Sequence, residues 1–129
     1  MTSLLLSVLL TAAVLALVIW SGASRRRSLH YGTVVMLFGV LTWAIYEAEL
    51  YGQGLVFSGA AEVVKYIHFG GVAIVFLSIP VLVVTGVRLA KDESMRPMHL
   101  SVAKFFVSMV LVTSALGTAM TVMAEPLAQ

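Results

Sequence analysis

The chain has 129 residues, 60% hydrophobic and 11% charged, with a mean hydropathy of +1.04 and a net charge of +2. Soluble globular domains carry roughly a quarter charged residues, so this composition excludes an ordinary water-soluble domain. The small positive charge makes no case for nucleic acid, and the absence of cysteine excludes disulfides and thiolate ligands.

Four apolar stretches, Ser3–Ser21, Leu29–Ala48, Tyr66–Val87 and Phe105–Met123, approach or exceed the ~20 residues needed to cross a bilayer. The first resembles a secretory signal in its small residues Ser21-Gly22-Ala23-Ser24. Its basic residues, Arg25, Arg26 and Arg27, follow the apolar run instead of preceding it, which predicts a retained helix with its amino terminus outside. The second stretch ends on Glu47, with Glu49 close behind, and spans if those carboxylates reach the headgroups. Gly52, Gly54 and Gly59 mark a flexible link to the third. Pro80 falls inside the third stretch, where it removes the donor for the carbonyl of Phe76. Pro97 suits the first turn of the fourth helix.

Backbone groups in hydrocarbon must pair within their own segment, so the expected fold is all-α. One polytopic domain over 1–129 is expected, an up-down bundle of helices at about 3–21, 29–50, 61–90 and 97–123. Arg25, Arg26 and Arg27 sit in one link, and Arg88, Lys91 and Arg96 around another, with Asp92 and Glu93 partly offsetting them. Glu47, Glu49, Glu62 and Glu125 lie on the opposite side, with Lys65 the basic residue among them. The positive-inside rule then puts both basic links in the cytoplasm and both termini outside.

Ionisable side chains at membrane depth are costly and tend to mark function. Three histidines qualify. His30 and His99 start two parallel helices at the basic face, and His68 lies about one turn inside the acidic face, some 20 Å away. Helical periodicity places Thr33, Val34, Leu37, Leu41, Ala44 and Ala48 below His30. Below His68 it places Gly71, Val72, Val75, Ile79, Leu82 and Gly86, and below His99 Ala103, Phe106, Val110, Thr113 and Gly117. The small residues in these stripes serve close helix packing or leave room for a flat macrocycle.

His30 and His99 form a candidate axial pair for a b-type haem, with Arg27 and Arg96 as candidate propionate partners. The alternative is an interfacial role among headgroups, and Lys104 reads as a snorkelling side chain. At the outer side His68, Glu47, Glu49 and Met120 or Met123 form a candidate copper site, imidazole and thioether suiting that metal. A histidine beside a carboxylate also suits a proton relay or quinol site. The alternative there is solvated carboxylates and gap-filling methionines. Ser58, Ser78, Thr113 and Ser114 have no neighbouring base and are expected to bond back to helix carbonyls, so no independent catalytic activity is expected.

The stretch Arg26-Arg27-Ser28-Leu29-His30, with Met36, Tyr46, Tyr66-Ile67-His68, Ala73-Ile74 and Pro80, carries a family likeness that Pro97-Met98-His99 and Thr113-Ser114-Ala115-Leu116-Gly117 continue. It resembles the small four-helix bacterial membrane family that includes the cytochrome oxidase maturation factor CtaM. Members tend to carry a histidine near the outer end of the second helix, where this chain has Tyr46-Glu47-Ala48-Glu49-Leu50. The resemblance implicates His30, His68 and His99. It implies haem or copper handling during terminal-oxidase assembly, a larger respiratory complex as partner, and the bacterial inner membrane as location. Two alternatives from other classes are a b-type cytochrome or quinone-interacting subunit of an electron-transfer complex, and a structural subunit without a cofactor.

Overall fold

A computed structural model describes residues 2–127 of the chain. Its elements, in order, are α1 (Thr2–Ala23), α2 (Arg27–Gly52), β1 (Leu55–Val56), α3 (Ala60–Lys91), a 3-10 turn at Glu93–Met95, α4 (Arg96–Met123) and β2 (Glu125–Pro126). All four helices are long and apolar enough to cross a bilayer. They begin and end within a few residues of the expected limits. At 1.5 Å per residue α1, with 22 residues, is about 33 Å long, close to the ~30 Å hydrocarbon core. The 32 residues of α3 give about 48 Å, so that helix tilts or projects beyond the core. It runs unbroken through Pro80.

The chain divides into two compact units between Leu55 and Val56. The first is a hairpin in which α1 packs on α2, and the second a hairpin in which α3 packs on α4. The chain ahead of α3 and the chain after α4 meet in the short pairing of β1 with β2.

Two different links turn the hairpins at their basic ends. The α1–α2 turn is tight. Arg26 N–H donates to the Ser21 carbonyl at 3.1 Å and Arg25 N–H to the Gly22 carbonyl at 3.2 Å. This pair of bonds is the Schellman motif, which requires a left-handed residue, usually glycine, at the position held here by Arg25. Arg25 has φ +55°, and so carries the strain that glycine would avoid. The α3–α4 link is longer and uses an Asx turn. Asp92 accepts from Ser94 N–H at 2.9 Å and from the Ser94 hydroxyl at 2.8 Å. The backbone bond first, and the hydroxyl second, hold the exposed Asp92 carboxyl below its ordinary pKa. Pro97 then lies in the first turn of α4, as expected.

The sequestered side chains trace a heptad seam in each hairpin. Ser7, Thr11, Val14 and Ser21 are buried on α1, and Gly71, Val75, Ser78 and Thr85 on α3, in steps of four, three and seven. Thr33 and Leu37 face inward on α2, and Phe106 and Thr113 on α4. Each of the three stripes expected below the histidines therefore contains buried residues. The outward surface is apolar, with Leu77 74% and Val122 79% exposed. Lipid is as apolar as leucine, so no hydrophobic force brings these helices together. Small and hydroxyl-bearing residues at the seam allow close approach instead.

Candidate functional site

Each histidine stands where its own hairpin lets a helix approach it closely, and each directs Nδ1 at the neighbouring helix. His30 occupies the first turn of α2. Its Nδ1 lies 3.1 Å from the Val18 carbonyl and 3.2 Å from Ser21 Oγ. A carbonyl only accepts, so Nδ1 carries the proton and, in the neutral ring, Nε2 carries the lone pair. Ser21 Oγ donates to the Val18 carbonyl at 3.0 Å and lies 3.3 Å from Thr33 Oγ1, which donates to the His30 carbonyl at 3.0 Å. Gly22 makes the room, since a Cβ there would lie 3.1 Å from His30 Cε1.

His99 repeats this geometry in the second hairpin. Its Nδ1 lies 3.1 Å from Thr85 Oγ1, whose proton goes to the Leu82 carbonyl at 3.0 Å. Where the Thr85 proton stays on the Leu82 carbonyl, as the Ser21 proton does on Val18, the Thr85 oxygen accepts and His99 Nδ1 carries the proton, matching the arrangement at His30. Gly86 faces the ring, a Cβ there lying 3.4 Å from His99 Cε1.

At the acidic end of the second hairpin, His68 Nδ1 donates to the Thr113 carbonyl at 2.9 Å. Its ring fills the notch at Gly117, where a Cβ would lie 2.9 Å from Cε1, and Phe69 meets it edge-on at 5.5 Å. All three rings are half-buried. One turn further in, Thr113 Oγ1 is buried with no hydrogen-bond partner among the described residues. That departs from the expected bond back to a helix carbonyl, which Ser78 does make, to Val75 at 2.6 Å. The Thr113 hydroxyl points instead at Gly71, where a Cβ would lie 2.7 Å from it.

The remaining candidates are placed as follows. Arg27 is exposed, one turn before His30. Arg96 Nε donates to Glu93 at 3.1 Å, a partly exposed pair of small energetic weight. Both Glu47 oxygens are engaged within the first hairpin, by Ser3 Oγ at 2.6 Å and by Trp43 Nε1 at 3.1 Å. Glu49 is exposed. Met120 is half-buried on α4, three residues beyond Gly117 and hence on the side of the helix that meets His68. Among the described residues no group of three or more His, Asp or Glu side chains is placed to hold a metal ion. An open apolar groove of about 490 Å³ runs along the second hairpin between Ser78 and Phe105.

Sequence reading missed Ser21 and Thr85 as histidine partners. The available signal was a hydroxyl residue followed by glycine at the end of one helix, with an Arg-x-x-His start to the next, occurring twice. Trp43 as a partner of Glu47 was also legible, four residues away on one helix face. The chain matches no family model, no curated protein and no solved structure.

Proposed function

We propose that the protein handles haem or copper in the membrane during respiratory-oxidase biogenesis, offering imidazole nitrogens as ligands. The observation that supports this reading is the shared state of the rings. All three histidines direct Nδ1 at an oxygen of the paired helix, a carbonyl for His30 and His68 and the Thr85 hydroxyl for His99. Ligating histidines characteristically hold the non-ligating N–H in this way, on a carbonyl or a carboxylate, which fixes the ring and makes Nε2 more basic. A bound haem would supply redox chemistry. His30 and His99 would each offer an imidazole nitrogen at the basic end of its own hairpin, with Arg27 and Arg96 near enough in sequence to meet propionates. His68, with Met120 on the facing helix, would take copper at the acidic end of the second hairpin. In this reading the chain lies in the bacterial inner membrane, with the two basic links in the cytoplasm and both termini outside, an orientation that the positive-inside rule supports.

The test is the visible spectrum and metal content of the purified chain, with and without added haem b or Cu(I). A Soret band lost in His30→Ala or in His99→Ala supports haem ligation by those rings. Copper retention lost in His68→Ala but kept in the other two supports the outer site. Absence of both cofactors under all these conditions defeats the proposal and leaves a structural subunit. Single cysteines at Ser24 and Gln53, in a chain that has none of its own, read the orientation by labelling from opposite faces.

A further inference from the structure

The His30 and His99 sites are more alike than a shared chemistry requires. Ser21-Gly22 and Thr85-Gly86 lie 64 residues apart (85 − 21), and the buried positions Ser7, Thr11 and Val14 fall on the buried Gly71, Val75 and Ser78 by the same shift. In the second helix of each hairpin the shift is 69 (99 − 30). It carries Arg27 to Arg96, His30 to His99 and the buried Leu37 to the buried Phe106. Four of the five extra residues lengthen α3 beyond Gly86, and the fifth falls in the α3–α4 link. A heptad seam is common to many antiparallel helix pairs and would match by periodicity alone. Periodicity does not explain a hydroxyl at 3.1–3.2 Å from Nδ1, a glycine under Cε1 and an arginine one turn before the histidine, in both copies. The same shifts carry Leu4 to His68 and Ala44 to Thr113, so the outer histidine has no counterpart.

We propose that the chain contains two copies of one imidazole-presenting hairpin, in which Ser21 and Thr85 are matched positioning residues. Each accepts the Nδ1 proton of its histidine while giving its own proton to a carbonyl one turn back, and so presents Nε2 as the basic nitrogen of the neutral ring. What ligates there rests on the haem reading above. The tautomer does not.

The experiment is nitrogen-15 NMR of the imidazoles in the full chain, in lipid nanodiscs, before any cofactor is added and at a pH where the rings are neutral. Both His30 and His99 are expected in the Nδ1–H form. Thr85→Val should shift the His99 tautomer ratio toward Nε2–H on the order of threefold to twentyfold, the range for interhelical hydrogen bonds in membranes. His30 should stay unchanged, and so control for global unfolding. Thr85→Ser should restore the ratio, since the first copy already uses serine. Ser21→Ala should act more weakly on His30, because the Val18 carbonyl remains as an acceptor. Nε2–H rings in the unmodified chain, or a Thr85→Val ratio equal to that of the unmodified chain, overturn the proposal. So does a Thr85→Ser variant that behaves like Thr85→Val. An intact tautomer pattern in a chain that takes up neither haem nor copper refutes the ligand reading alone.

Discussion

Replacing Gly71 by alanine places a methyl group 2.7 Å from Thr113 Oγ1, closer than any real carbon–oxygen contact of this kind. Overpacking a tight seam costs about 1–3 kcal/mol, and alanine returns ~1 kcal/mol through helix propensity, so Gly71→Ala should destabilise the second hairpin by about 0–2 kcal/mol. Thr113→Ala removes the atom in the way. That hydroxyl is buried without a partner among the described residues, and an unsatisfied buried hydroxyl costs about 1–3 kcal/mol, which offsets much of the packing lost with it. In the Thr113→Ala background the second change should therefore stabilise by ~1 kcal/mol, leaving a coupling of about 1–3 kcal/mol between the two positions. Reversible denaturant unfolding of the four proteins of this cycle in bicelles measures it. Additivity within about 0.5 kcal/mol would refute the contact and, with it, the close approach of α3 and α4 at this level.

Arg25→Gly should stabilise the chain by about 0.5–1 kcal/mol, because it relieves a left-handed residue at a Schellman position, less the extra freedom of glycine in the unfolded chain. Arg25→Ala should give no such gain in thermal unfolding, and equal gains from the two would assign the effect to charge. At the other link, Ser94 favours ionised Asp92, so the folded pKa lies below the unfolded one. The stabilisation is present above the ordinary aspartate range and is lost as pH falls through the lower folded value. An NMR titration should find that midpoint below free aspartate. It should move only part of the way back in Ser94→Ala, since the larger cause is the backbone amide, which survives; an ordinary midpoint in the unmodified chain would contradict the Asx turn.

Much of the fold was legible because solvent dictated it. In a lipid setting length and apolarity define a helix, and the stripes through Gly71 and Val75, Thr33 and Leu37, and Phe106 and Thr113 were readable from the 3.6-residue period alone. The partners of the histidines were not readable in that way. Which residue of α1 meets His30 depends on the register set by a three-residue turn, and that turn closes on an arginine at φ +55°, where sequence rules look for glycine. Glu47 was assigned to a metal or to solvent although Trp43, four residues back on the same face, was a readable partner. Ser3, which donates to it, comes from the far end of the preceding helix. The unpartnered Thr113 hydroxyl had no sequence signal, since every threonine in a helix has a carbonyl one turn back to bond.

Most hydroxyls along the seams spend their protons on their own helix, as Ser7 does on Leu4, Ser78 on Val75 and Thr85 on Leu82. The bonds that cross between helices gather at a few places: Ser3 to Glu47, the three imidazoles, and Thr11, which shares its proton between the Ser7 carbonyl of its own helix at 2.8 Å and the Val40 carbonyl at 3.3 Å. Each hairpin is thus riveted at discrete points, with plain van der Waals contact between them. Drift in sequence between the rivets would trade one small side chain for another at little cost, whereas loss of a rivet would free one end of a helix pair while the other end stayed closed.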